Sequence, residues 1–160
     1  MENKIIEFLS SIGFYPLSED NWIVFRINHR VAKSKQEEEM TLNLIKNKVG
    51  RKNGIYVYKN ADGKILYIGK GKPIFNRLKA HYYESYGKPE YLWHHFTAFF
   101  SSNQGEVEIF CKELEDEDYR VIIETMMQKI YKPEFLGKKS NFKISSEHSN
   151  KVTDTNEVSK

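Results

Sequence analysis

Residues 54–69 read GIYVYKNADGKILYIG, and the fold turns on this stretch. Two apolar and aromatic runs, residues 54–59 and 64–69, flank Asn60, Ala61, Asp62 and Gly63. Asn and Asp side chains bond the backbone two residues on, and Gly supplies a positive φ, so the four residues form a turn. The runs are therefore expected to pair as an antiparallel hairpin. Each holds a tyrosine and a glycine in mirrored order, Gly54-Ile55-Tyr56 and Tyr67-Ile68-Gly69. Glycine lets backbone or substrate come close, and the pairing can bring both phenols to one face. Either triplet alone reads equally as a core aromatic beside a turn glycine.

Working outward, Pro73 fits the opening of a helix that runs to about Tyr83. Residues 94–100, a turn at 101–105 and residues 107–113 predict a second hairpin. Residues 116–132 read as a helix: the start is acidic, Val121, Ile122, Met126 and Ile130 supply apolar faces, and Pro133 stops it. Upstream, Ile5, Ile6, Phe8, Leu9 and Ile12 make a helical apolar face closed by Gly13. Residues 22–27 have strand composition. Residues 36–49 look helical, with Leu42, Ile45 and Val49 on one stripe and Glu37, Glu38 and Glu39 near the positive end. The expected class is α+β, a small and mainly antiparallel sheet made of the hairpin plus one or two further strands and flanked by helices. Three segments are expected: residues 1–50 packing on the core, a central domain over 51–142, and a flexible polar tail over 143–160.

Bulk properties narrow the function. The 160 residues suffice for one domain with extensions. Aromatics are abundant, with 10 Tyr and 10 Phe, and because a buried Tyr usually finds a hydrogen-bond partner some of these rings are expected to line a polar site rather than fill a core. A net charge of +3 permits an anionic partner without demanding one. The single cysteine, Cys111, excludes an internal disulfide framework and a cysteine-based zinc site, and its apolar surroundings predict a buried, inert thiol. No apolar run reaches the roughly 18 residues of a membrane span and no secretory leader is visible, so a cytoplasmic protein is expected.

Charge concentrates where the glycines and tyrosines are. Between residues 51 and 83 eight basic residues, among them Lys70, Lys72, Arg77 and Lys79, face one acid, Asp62, an excess of seven on a chain whose total is +3. Such an excess suits a polyphosphate partner, and a guanidinium such as Arg77 can grip a phosphate through two hydrogen bonds. His81 lies four residues after Arg77, on the same helical face. Glu124 stands alone in an apolar row, so a part-buried carboxylate is expected there; a bound cation or Arg77 would balance it. The acids at 113–118 read as a solvated helix start.

Taken together these residues resemble the GIY-YIG nuclease family. The resemblance spans residues 54–133. Ten residues separate the two triplets, Arg77 follows Gly69 by eight, His81 follows Arg77 by four, and Glu124 precedes Pro133 by nine. It implies metal-assisted hydrolysis of DNA, expected to be double-stranded, with Glu124 binding Mg²⁺ or Mn²⁺. Tyr56 would orient or deprotonate the attacking water and Tyr67 would hold water or phosphate. Arg77 would stabilise charge on the phosphate and His81 would assist with the proton or the phosphate. Gly69, Lys70, Lys72, Lys79 and Asn141 would border the substrate. A phenol has a reference pKa of about 10, and basic neighbours such as Lys70 are expected to depress it. Products would carry 5′-phosphate and 3′-hydroxyl ends, and two-strand cleavage would need a homodimer or sequential nicking. The family's usual asparagine three residues after the proline is Leu136 here, with Asn141 nearby. A phage or mobile-element setting is expected. Two rival readings remain: a catalytically decayed nuclease fold that binds nucleic acid, and a protein-interaction factor working through its N-terminal helices.

Overall fold

The computed structural model describes residues 1–87 and 94–137, so Asn141 and the tail at 143–160 lie outside the described residues. Helix α1 (Glu2–Ser11) leads to strand β1 (Ile23–His29), helix α2 (Lys35–Val49), strands β2 (Gly54–Asn60) and β3 (Ile65–Gly71), and helix α3 (Ile74–Glu84). Helix α4 (His95–Ser102), strand β4 (Gly105–Glu113) and helix α5 (Glu117–Tyr131) complete it. The sheet is antiparallel throughout, in the order β1-β4-β2-β3, which is the α+β arrangement expected.

The central hairpin forms for the reason its turn predicts. Asn60 Oδ1 accepts from the backbone N–H groups of Asp62 at 3.1 Å and Lys64 at 2.9 Å, and Gly63 takes φ +82°. The resulting register sets Tyr56 opposite Gly69 and Tyr58 opposite Tyr67. Helix α5 starts where Asp116 accepts from the Tyr119 N–H at 2.9 Å, and it ends at Lys132 with φ 48° before Pro133.

Strand β2 is buried on both faces because helices cover both. Ile55, Val57 and Ile68 join Leu9 of α1 and Ile123 and Met127 of α5 in one core. Tyr56, Tyr58 and Tyr67 join Ile45 and Val49 of α2, Leu78 and Tyr82 of α3 and Phe100 of α4 in the other. Cys111 is buried, and burial pushes its thiol pKa up. Strand β1 adds to the same sheet beyond β4, and Phe25 and Ile27 enter the second core. Deleting residues 1–50 would therefore remove a strand, and cannot separate an interaction role for that segment from loss of the fold.

One expected element is different. Residues 95–102 are helix rather than the first strand of a second hairpin, and β4 pairs with β1 and β2 instead. Aromatic-rich composition suggested a strand. The deciding spacing is helical: Phe96 and Phe100, four apart, both lie against His81, with ring centroids at 5.1 and 4.8 Å. Among the described residues no helix is long and apolar enough to cross a membrane.

The second core also buries two histidines. The His29 ring sits 5.3 Å from Tyr58 and 4.9 Å from Phe100, and its Nε2–H donates to the His81 carbonyl at 2.9 Å. Burial, with His81 beside it, lowers its pKa to about 3. Burial also lowers His81. Between pH 6.5 and 3 the unfolded chain binds protons that the folded chain refuses, so stability falls as pH falls through that window. At about 1.4 kcal/mol per pH unit below 6.5, His29 alone removes roughly 3 kcal/mol by pH 4. Thermal melting followed from pH 7 to pH 4 should show this loss, and His29→Phe should flatten it. An unchanged pH slope in that variant would refute the assignment.

Candidate active site

Strand β3 is the last strand of the sheet, and helices from opposite faces meet beside its end. There a cleft of about 290 Å³ is lined by Tyr67, Lys70 and Lys72 from β3 and the turn after it, Arg77 from α3, and Glu117, Arg120 and Glu124 from α5. Of the site residues read from the sequence, Tyr67, Lys70, Lys72, Arg77 and Glu124 are thus brought to one wall. Gly69 lies behind them and Lys79 is on the exposed side of α3. Asn141 lies outside the described residues.

Tyr56 and His81 stand behind that wall. Both are fully buried, and the Tyr56 hydroxyl is 2.7 Å from His81 Nε2. On the far side of the imidazole, Nδ1 is 2.9 Å from Glu84 Oε2. With a carboxylate on Nδ1, that nitrogen carries the proton, and Nε2 accepts from the Tyr56 O–H. The Tyr56 and Tyr67 rings lie 6.0 Å apart and the Tyr67 and His81 rings 5.4 Å apart. Glycine at 69 is what lets Tyr56 reach this place. A Cβ there would stand 2.5 Å from the Tyr56 hydroxyl and 2.7 Å from Tyr67 Cε1.

The expected depression of the phenol pKa is reversed. Burial raises Tyr56 well above the ordinary 10, with Tyr67 adding to it, and Arg77 only partly offsets this. Tyr67 is raised by burial first and by the Glu124 charge second. Lys70 Nζ is 3.3 Å from Glu124 Oε2, so this lysine supplies a counter-charge to the carboxylate. The Arg77 guanidinium lies beside the hydroxyls of Tyr56 and Tyr67, and 5.6 Å from the centre of the Phe96 ring, inside cation–π range. Both phenols are neutral near pH 7 and act there as hydrogen-bond donors.

Three participants were not read from the sequence. Glu84 orients His81, and nothing in the sequence pattern singles this acid out. Arg120 is only 2% exposed, and its Nη1 donates to the carbonyls of Leu114 at 2.8 Å and Glu115 at 2.5 Å, which fixes it in the cleft wall. Its position four residues before Glu124 was the available signal. Glu117 belongs to the acidic helix start, yet it borders the cleft 3.9 Å from Lys72. Glu124 and Glu117 are the carboxylates able to hold a cation here. Among the described residues no three of His, Cys, Asp and Glu cluster at metal-binding distance.

Comparison with known proteins adds an independent line. The UvrC-like GIY-YIG domain family matches residues 52–136. UvrABC system protein C of Mycoplasma genitalium is 35% identical over 85 residues, which are 53% of this chain and 13% of that protein. The chain therefore corresponds to a small part of that relative. No solved structure matches it.

Proposed function

The chain belongs to the UvrC-like GIY-YIG family, a nuclease domain, and on that premise we propose that it is a divalent-metal-dependent endonuclease hydrolysing DNA phosphodiesters. The observation that carries the reading is the convergence of Tyr67, Lys70, Arg77 and Glu124, from three separate elements, on one cleft. Arg77 and Lys72 bind the non-bridging oxygens, and Arg77 stabilises the charge that grows on them during attack. Tyr67 presents its hydroxyl to the attacking water and holds it in line. Tyr56, His81 and Glu84 form a hydrogen-bonded series behind it that keeps the tyrosine pair in position. The water oxygen bonds to phosphorus as its proton passes to bulk solvent, the bond to the 3′ oxygen breaks, and that oxygen takes a proton from solvent water to leave as the 3′-hydroxyl.

Glu124, in a cleft that Glu117 also borders, would hold Mg²⁺ or Mn²⁺, which when bound would neutralise the phosphate and stabilise the leaving oxygen. Lys70, 3.3 Å from Glu124, would be released by a cation on that carboxylate and could then turn to phosphate. Incubation of the purified protein with supercoiled plasmid in Mg²⁺, in Mn²⁺ and in EDTA tests the reading. Nicked or linear product is expected with metal and none with EDTA. Plasmid left intact under all three conditions overturns it.

A specific observation favours the alternative of a decayed nuclease that binds nucleic acid. Leu136, 44% exposed, occupies the position where the resemblance places an asparagine. DNA binding without cleavage in either metal would be its signature.

A further inference from the structure

Outside the cleft, a second concave surface is built for anions. An open groove of about 790 Å³ lies between the C-terminal turn of α2 and the start of α3. Lys46, Arg51 and Lys72 supply its cations and Asn47 and Asn76 its amides, a third amide, Asn53, donating to Glu115 at 2.9 Å, and no acid is among the lining residues. Lys46 and Arg51 are exposed and have no ion pair among the described residues. Among the described residues Lys72 pairs with the exposed Glu117, at 3.9 Å, a pair worth little in water.

Two features set this groove apart from an ordinary solvated basic face. Its walls are fixed relative to each other: Glu38 of α2 accepts from the hydroxyls of Tyr83 at 2.6 Å and Tyr86 at 3.1 Å, at the other end of α3. It is also continuous with the cleft, because Lys72 lines both.

We propose that the groove seats backbone phosphates of the DNA duplex flanking the bond that is cut. The lysines and the arginine neutralise those phosphates, and the two amides donate to their oxygens. Lys46, Asn47 and Arg51 precede the family match at residues 52–136, so this part of the interface is supplied by the chain's own N-terminal segment. The inference rests on the reading of the cleft as a site that takes DNA.

The test is binding of a long duplex by the full chain carrying Lys46→Ala and Arg51→Ala, measured across salt concentrations. Loss of two phosphate contacts should make the slope of log affinity against log salt shallower by about 1.8, or roughly 60-fold in affinity at 0.1 M salt if affinity at 1 M is unchanged. Lys48→Ala removes an exposed charge of the same helix outside the groove and should leave the slope as it was. Thermal melting should match the wild type, because all three side chains are exposed, and the cleavage rate at saturating DNA should not change. Arg51→Gln alone should give about half the slope change. Wild-type affinity and slope in the double variant, or an equal loss in Lys48→Ala, overturns the inference while metal-dependent cleavage by the wild type leaves the endonuclease reading in place. A wild type that binds without cutting, with the double variant losing affinity as stated, sustains the groove and removes the endonuclease.

Discussion

Glu124→Gln should reduce metal-dependent cleavage by roughly 10²- to 10³-fold, the scale on which loss of one preorganised charge-stabilising group is felt. The substitution keeps volume and shape and removes one charge. Glu124 has only 15% of its side chain exposed, and its partner Lys70 is 40% exposed, so the ammonium left behind stays solvated and stability should change by less than about 1 kcal/mol. Binding of DNA should persist or tighten, since a negative charge has left a surface that faces phosphates. The measurement is single-turnover nicking at saturating protein, beside a melting curve and a DNA titration. Cleavage within threefold of the wild type, in a folded and DNA-binding variant, would remove Glu124 from the reaction. Equal loss of cleavage and of melting temperature would show that the carboxylate is there for folding.

Gly69→Ala carries the largest effect from a single added carbon. The new Cβ would stand 2.5 Å from the Tyr56 hydroxyl, 2.6 Å from Tyr56 Cζ and 2.7 Å from Tyr67 Cε1. Neither ring has room to yield. Tyr56 is fully buried and its hydroxyl is held by His81, and Tyr67 lies against Phe96 and Phe135 with centroids at 5.5 and 5.9 Å. Overpacking of this kind costs about 1–3 kcal/mol, a fall of roughly 2–4 °C in melting temperature for each kcal/mol in a chain of this size. Activity should drop as well, because the displaced rings are those behind and beside Arg77. Tyr56→Phe removes the atom nearest the new carbon, so the double variant Gly69→Ala with Tyr56→Phe should be more stable than the sum of the single changes predicts. Strict additivity, or an unchanged melting temperature in Gly69→Ala, would show that the close approach of Tyr56 to this glycine does not constrain the fold.

The sequence by itself determined those features whose causes lie within a few residues. The hairpin of β2 and β3 was legible because the Asn60 side chain and Gly63 make the turn locally, and the turn sets the register that puts Tyr56 across from Gly69. Helix α5 was legible for the same reason, with Asp116 as its cap and Lys132 and Pro133 as its end. So were the basic excess around Lys70 and Arg77 and the isolation of Glu124 in an apolar row, because charge and pattern are properties of composition.

Tertiary structure alone decided what depends on contacts between distant segments. Residues 95–102 carry aromatics that suit either a strand or a helix, and their packing on His81 and Phe135 selects the helix. Strand β4 lies between β1 and β2, partners more than forty residues upstream, and no local signal announces such a pairing. The same holds inside the site. Lys70 meets Glu124 because β3 runs beside α5, a contact between segments more than fifty residues apart. Glu84 meets His81 only because the buried ring points its Nδ1 that way. Burial, a collective effect of both covering layers, raises the Tyr56 pKa where a list of neighbouring charges had suggested the reverse.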